Sequence, residues 1–184
     1  MSKSAKRSTT KRKPRASTRA DRTPQRVPRP LPRPLTGIGC VDFSTQIDNT
    51  NLGPTYVKPG FTFTQLGAAP PMFANATAGQ IGLQFPDAGL EIQLGDLAYE
   101  ITIVLGTFAG PVTLETRDSL SLLSTQTINT ANTYKTMVIK PHACVSKLIF
   151  YGGHNEAILV QICVKWCSTA GPKIDPPRKT TRPK

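Results

Sequence analysis

The chain has 184 residues, 38% of them hydrophobic, and its 23 Lys/Arg outnumber 11 Asp/Glu for a net charge of +12. That length gives room for one domain with extensions. No run approaches the roughly 20 apolar residues of a membrane-spanning helix, and no apolar run follows the basic N-terminus, so the expectation is a soluble chain made in the cytosol without a secretory leader or a membrane partner.

The charge is concentrated at the two ends. Residues 1–34 hold twelve basic side chains, Lys3, Lys6, Arg7, Lys11, Arg12, Lys13, Arg15, Arg19, Arg22, Arg26, Arg29 and Arg33, against the single acid Asp21, a net +11. A block of one sign repels itself, so this arm is expected to be disordered alone and to grip a polyanion. It carries no aromatic side chain to stack on bases. It also lacks the periodicity of a helix or strand that would enter a groove. The twelve side chains are therefore the candidate nucleic-acid-binding residues, acting on backbone phosphate by counterion release without sequence preference. Lys11-Arg12-Lys13-Pro14-Arg15 also matches a nuclear import signal, as a charge run this dense can by chance. Within the arm, prolines at 24, 28, 30, 32 and 34 predict a stiff, extended hinge.

Residues 35–170 differ in kind. They carry six Lys/Arg against nine Asp/Glu, a net −3, and contain all seven Phe, all four Tyr and the single Trp. Short segments rich in β-branched and aromatic residues alternate with Gly, Pro and Asn. They predict strands near Val41–Ile47, Phe61–Leu66, Gln80–Phe85, Leu90–Leu94, Leu97–Phe108, Val112–Glu115, Tyr134–Lys140, Val145–Tyr151 and Ala157–Cys167. In the last, Ile158, Val160, Ile162, Val164 and Trp166 form one apolar face. Tyr99, Ile101, Ile103 and Leu105 form another. Gly152-Gly153-His154 predicts a tight hairpin between the last two strands. The pattern as a whole predicts an all-β body, an antiparallel eight-stranded jelly-roll sandwich over 35–170. Residues 171–184 form a second basic tail, with Lys173, Arg178, Lys179, Arg182 and Lys184 against Asp175, a net +4.

Little in the body advertises catalysis. His142 and His154 are the only histidines, and both fall in turn-like sequence. The nucleophile elbow, the P-loop and the dinucleotide fingerprint are all absent, so no enzyme and no cofactor are expected. The carboxylates are dispersed. A calcium ion held between subunits by loop oxygens is the one metal site the composition leaves open. Asn75-Ala-Thr77 is a glycosylation sequon and reads as a loop. Cys40, Cys144, Cys163 and Cys167 lack metal-ligand spacing. Cys163 and Cys167 lie roughly 13 Å apart along one strand, too far for one bond, so the four are expected to be free, buried, small apolar residues.

A basic arm, a proline-rich hinge and a compact all-β body resemble the coat proteins of small icosahedral single-stranded RNA viruses. The resemblance is one of organisation along the whole chain. It implies that the twelve arm residues hold an RNA genome while the body meets copies of itself in a closed icosahedral shell. It further implies a place in the virion, with assembly in the host cytoplasm. Sixty arms would bring roughly 660 charges, on the order of a kilobase of RNA. The basic C-terminal tail is a departure from that pattern. Two other readings fit the composition less well: a nucleic-acid-binding protein that forms no shell, and a β-sandwich enzyme or sugar-binding domain with an incidental tail.

Overall fold

The computed structural model describes residues 37–68 and 70–167. The twelve arm residues from Lys3 to Arg33, the proline-rich hinge and the C-terminal basic tail lie outside the described residues.

The described body is all-β, with twelve strands: β1 (Ile38–Asp42), β2 (Asn51–Gly53), β3 (Thr55–Lys58), β4 (Phe61–Gln65), β5 (Met72–Thr77), β6 (Gln80–Phe85), β7 (Leu90–Thr107), β8 (Val112–Arg117), β9 (Leu122–Ile128), β10 (Tyr134–Ile139), β11 (Val145–Gly152) and β12 (Ala157–Trp166). Every pairing is antiparallel. The organising element is β7, an 18-residue strand that belongs to two sheets. Its first part, Leu90–Leu94, runs beside β4 and β11. Its second part, from Ala98 onward, runs beside β12 and β10. One sheet therefore reads β3-β4-β7-β11-β8-β9. The other reads β2-β5-β6-β12-β7-β10, with β1 added to β12.

The two sheets face each other across one core. Phe61, Phe63, Leu90, Ile92, Leu114, Leu148 and Phe150 come from the first sheet; Leu83, Phe85, Ile101, Ile103, Leu105, Ile162 and Trp166 come from the second. Rings meet across the gap: Phe61 and Trp166 have centroids 5.8 Å apart, and Phe85 and Phe150 are at 5.9 Å. Alternation along each strand puts these side chains inward. Burying each stabilises the body by about 1.5–3 kcal/mol.

Several expectations are corrected. The segments expected at 90–94 and 97–108 are one strand, because the backbone stays paired between them: the Gly95 N–H donates to the Gly60 carbonyl and the Leu97 carbonyl accepts from the Cys167 N–H. Strands β2, β3, β5 and β9 were not expected, and Asn75-Ala-Thr77 lies in β5 rather than in a loop. The body thus has twelve strands, not eight. β11 and β12 do not form a hairpin. The Gly152-Gly153 turn carries the chain from one sheet to the other, with β11 against β7 and β8 and β12 against β6, β7 and β1. Two bulges shift the expected faces. One, between Leu159 and Gln161, brings Leu159 into the core cluster. The other pairs Trp166 with Ala98, so Ala98 turns inward and Tyr99 is exposed.

The cysteines are the largest correction. They are bonded in two pairs, Cys40–Cys163 and Cys144–Cys167, and none is buried. The distance between Cys163 and Cys167 along their strand excludes only their pairing with each other. Each instead meets a cysteine from another element. Cys40 lies opposite Cys163 in the β1–β12 ladder, with Cα atoms 4.1 Å apart.

Candidate functional site

The strongly basic segments flank the body at residues 37 and 167, and the fold brings those two positions together. β1 and β12 are antiparallel neighbours, with Ile38 opposite Lys165. The Trp166 N–H donates to the Gly37 carbonyl at 3.3 Å. The start of the described body and its end are therefore adjacent at one corner.

That corner is held by packing and by covalent bonds. Gly39 lies under the Trp166 indole, where an added Cβ would come within 2.8 Å of the ring. The Cys40–Cys163 bond ties β1 to β12, and Cys144–Cys167 ties the last described residue to the segment before β11. The Cys167 N–H also donates to the Leu97 carbonyl at 2.7 Å. Tension applied through either flanking segment would meet a disulfide within a few residues. The four-residue span Cys163–Cys167 and the position of Cys40 just after the arm are the sequence signals for this arrangement. They are legible only once β1 is placed beside β12.

The body's own cations are largely committed. Lys165 Nζ lies 2.6 Å from Glu100 Oε1, and Lys140 Nζ 3.4 Å from Glu100 Oε2. The hydrogen bond from Lys165 holds the Glu100 carboxyl below its usual range, and the same bond raises Lys165. Lys147 pairs with Glu91 at 3.0 Å. Arg117 pairs with Glu115 at 2.6 Å, while the Tyr151 hydroxyl donates to the other Glu115 oxygen at 2.8 Å. The bond from Arg117, then that from Tyr151, lowers the Glu115 carboxyl. Lys58 lies over the Tyr56 ring at 5.2 Å. So four of the six basic side chains of residues 35–170 already face body carboxylates.

The carboxylates considered for calcium mostly serve loops. Asp48 Oδ1 accepts from the Asn49 and Ala76 N–H groups at 2.9 and 2.7 Å. Asp87 accepts from the His154 N–H at 2.8 Å. Asp118 accepts from the Leu120 and Ser121 N–H groups, which lower its carboxyl in that order. Among the described residues, no three His, Cys, Asp or Glu gather into a group fit to hold a metal ion. His142 and His154 are both exposed.

A partly open cleft lies beside β5 and β6, about 250 Å³ in volume and lined by Asn75, Thr77, Gln84, Phe108, Glu156 and Ile158. Its two carboxamides are linked to each other and to the backbone. Asn75 Nδ2 donates to Gln84 Oε1 at 2.5 Å, and Gln84 Nε2 donates to the Asn155 carbonyl. Nearby, the Tyr134 hydroxyl donates to the Thr77 carbonyl at 2.9 Å, and burial pushes its pKa up to about 12. These bonds fix the β5–β6 hairpin.

No protein-family model matches the chain, and no curated protein matches it. Among solved structures, a point mutant of a family 29 carbohydrate-binding module is similar at 10% identity and a TM-score of 0.43, covering 71% of this chain and 89% of the module. The catalytic unit of a GH87 α-1,3-glucanase from Streptomyces thermodiastaticus is similar at 12% identity and a TM-score of 0.40, covering 73% of this chain and 27% of that one. A carbohydrate-binding module from Clostridium stercorarium in complex with cellobiose is similar at 14% identity and a TM-score of 0.37, covering 70% and 94%. Overlaps this low say nothing about the ligands of this chain.

Proposed function

We propose that this chain is a structural capsid protein whose basic arm packages single-stranded RNA without sequence preference while its body associates with copies of itself. One observation carries the reading. The chain's excess positive charge lies in two segments that flank a single disulfide-tied corner, and the body between them is net acidic with its cations mostly paired. A polyanion is therefore bound through Lys3 to Arg33, with help from Lys173 to Lys184, and the sandwich acts as the tile. Two facing antiparallel sheets sharing β7 support a jelly-roll type of body. The disulfides suit a virion, where such bonds persist, and on this reading they close after the particle leaves the reducing cytoplasm in which it was assembled.

The test is deletion of residues 1–34. The remaining chain keeps a net charge of only +1. It should fold, because every core side chain named above lies beyond residue 37, and it should lose its nucleic acid. Particle formation is measured by sedimentation and electron microscopy, and nucleic-acid content by absorbance ratio. Truncated protein that still forms particles full of RNA would contradict the role of the arm.

A further inference from the structure

Open sheets end in edge strands, and exposed edges are usually guarded by charge, proline, brevity or a cover. Most edges of this body are guarded. β3 ends in Lys58 and lies between Pro54 and Pro59. β2 is three residues long. β10 carries Lys135, paired opposite the core residue Leu105, so its charge projects from the inward face of that edge. Among the described residues, β9 has none of these devices. It is seven residues long, five of them exposed, and among the described residues it pairs with β8 alone. From Ser119 to Tyr134 the sequence contains no charged residue and no proline. A bulge sits only at its first turn of pairing, and Ser124–Ile128 run in regular register with Val112–Thr116. Leu120, at its entrance, is 93% exposed.

We infer that the free edge of β9 is a self-association surface, at which a second copy pairs its own β9 antiparallel about a two-fold axis through Thr125. The occupant follows from the strand itself. Centred on Thr125, Leu122 meets Ile128, Leu123 meets Thr127, Ser124 meets Gln126 and Thr125 meets its own copy. Leu122 and Ile128 thus oppose each other at both ends, Leu123 faces Thr127, polar residues oppose each other at the centre, and no like charges are brought together. Cross-strand Thr pairs of this kind stabilise antiparallel ladders. A two-fold axis normal to the sheet keeps each face on its own side, so the β3-to-β9 sheet continues into its copy. This rests on the self-assembling half of the function proposed above and assigns it a surface.

The test uses the full-length, oxidised, nuclease-treated protein in about 1 M salt, where charge attraction through the arm is screened. Sedimentation equilibrium should show a reversible dimer. Thr125→Lys and Thr125→Glu each place like charges face to face on the axis, so at about 0.15 M salt, where charges in contact still act, each nuclease-treated variant alone should dimerise more weakly than the parent, the Glu variant more so because residue 125 lies opposite Glu115 of its own chain. Mixed in equal amounts they should regain the dimer mass, with Lys facing Glu. Thr125 is exposed, and an unchanged far-ultraviolet circular dichroism spectrum confirms that each variant is folded. A parent that stays monomeric, variants as dimeric as the parent, or a mixture that stays monomeric would each overturn the inference. Association seen only at low salt with RNA present overturns the β9 pairing and leaves RNA binding standing. A salt-resistant dimer without affinity for RNA supports the pairing and sinks the RNA-packaging reading.

Discussion

Removing either disulfide by paired Cys→Ala substitution should destabilise the body, and the order of the two effects follows from the chain lengths they close. Cys40 and Cys163 are 123 residues apart, and Cys144 and Cys167 are 23 apart. Loop-closure entropy lost by the unfolded chain gives about 4.9 kcal/mol for the longer loop and about 3.4 kcal/mol for the shorter one. Because none of the four is buried, truncation to Ala removes little packing, and the measured difference should report the cross-link. The expected result is a lower urea midpoint for both variants with a somewhat steeper slope, because the unlinked chain unfolds to a more open ensemble, the Cys40/Cys163 variant being the less stable by about 1.5 kcal/mol. Reducing the parent should lower its midpoint below that of either variant. A reduced parent as stable as the oxidised one, or a Cys144/Cys167 variant less stable than its counterpart, would mean that loop closure does not set the stability of the body.

Thr130→Val should cost about 1–3 kcal/mol, because the Thr130 hydroxyl accepts from the buried Thr107 N–H at 2.8 Å and the substitution leaves that donor unpaired; chemical denaturation measures it. Gly39→Val should push the Trp166 ring off β1, and the emission of this single Trp should shift to the red; unchanged emission would mean that the indole does not need the space. In acid, Glu115, Glu100 and Asp118 hold folded pKa values below the usual ones. Their contribution is therefore complete above the ordinary carboxylate value and is lost as the pH falls through the lowered one, which a thermal-midpoint series below pH 5 should register as a decline at about that point. Tyr134 has the opposite sign: its stabilising effect is complete below the ordinary Tyr value of 10.0 and is lost as the pH rises toward about 12, so Tyr134→Phe should blunt the alkaline loss of stability.

The strands legible in the sequence were those with strong periodicity or dense β-branched residues, such as Gln80–Phe85 and Val145–Tyr151. Those missed had weaker local signals. β9 is mostly exposed, so the sequence of Leu122–Ile128 shows little alternation. β2 and β3 are short and lie among turn residues. Bulges also defeat a period-two count, because each shifts the faces that follow, as at Leu159 and at Ala98. The disulfides were hidden for a different reason. Their partners are distant in sequence, and only the β1–β12 register brings Cys40 opposite Cys163. The arm's charge is plain in the sequence. That its junction adjoins that of the C-terminal tail is a property of strand order, which local patterns do not encode.

RNA binding through the two basic segments should depend steeply on salt. The two basic segments hold 17 Lys/Arg, twelve in the arm and five in the tail. Counterion release from a single strand then allows a slope of log K against log salt as steep as about −12 for the full chain, and no steeper than about −3.5 once residues 1–34 are deleted. The full-length protein should show a steep slope, the same for RNAs of unrelated sequence, and the deletion a shallow one with much weaker binding. An equal slope and affinity for the two proteins would mean that the arm does not hold the RNA.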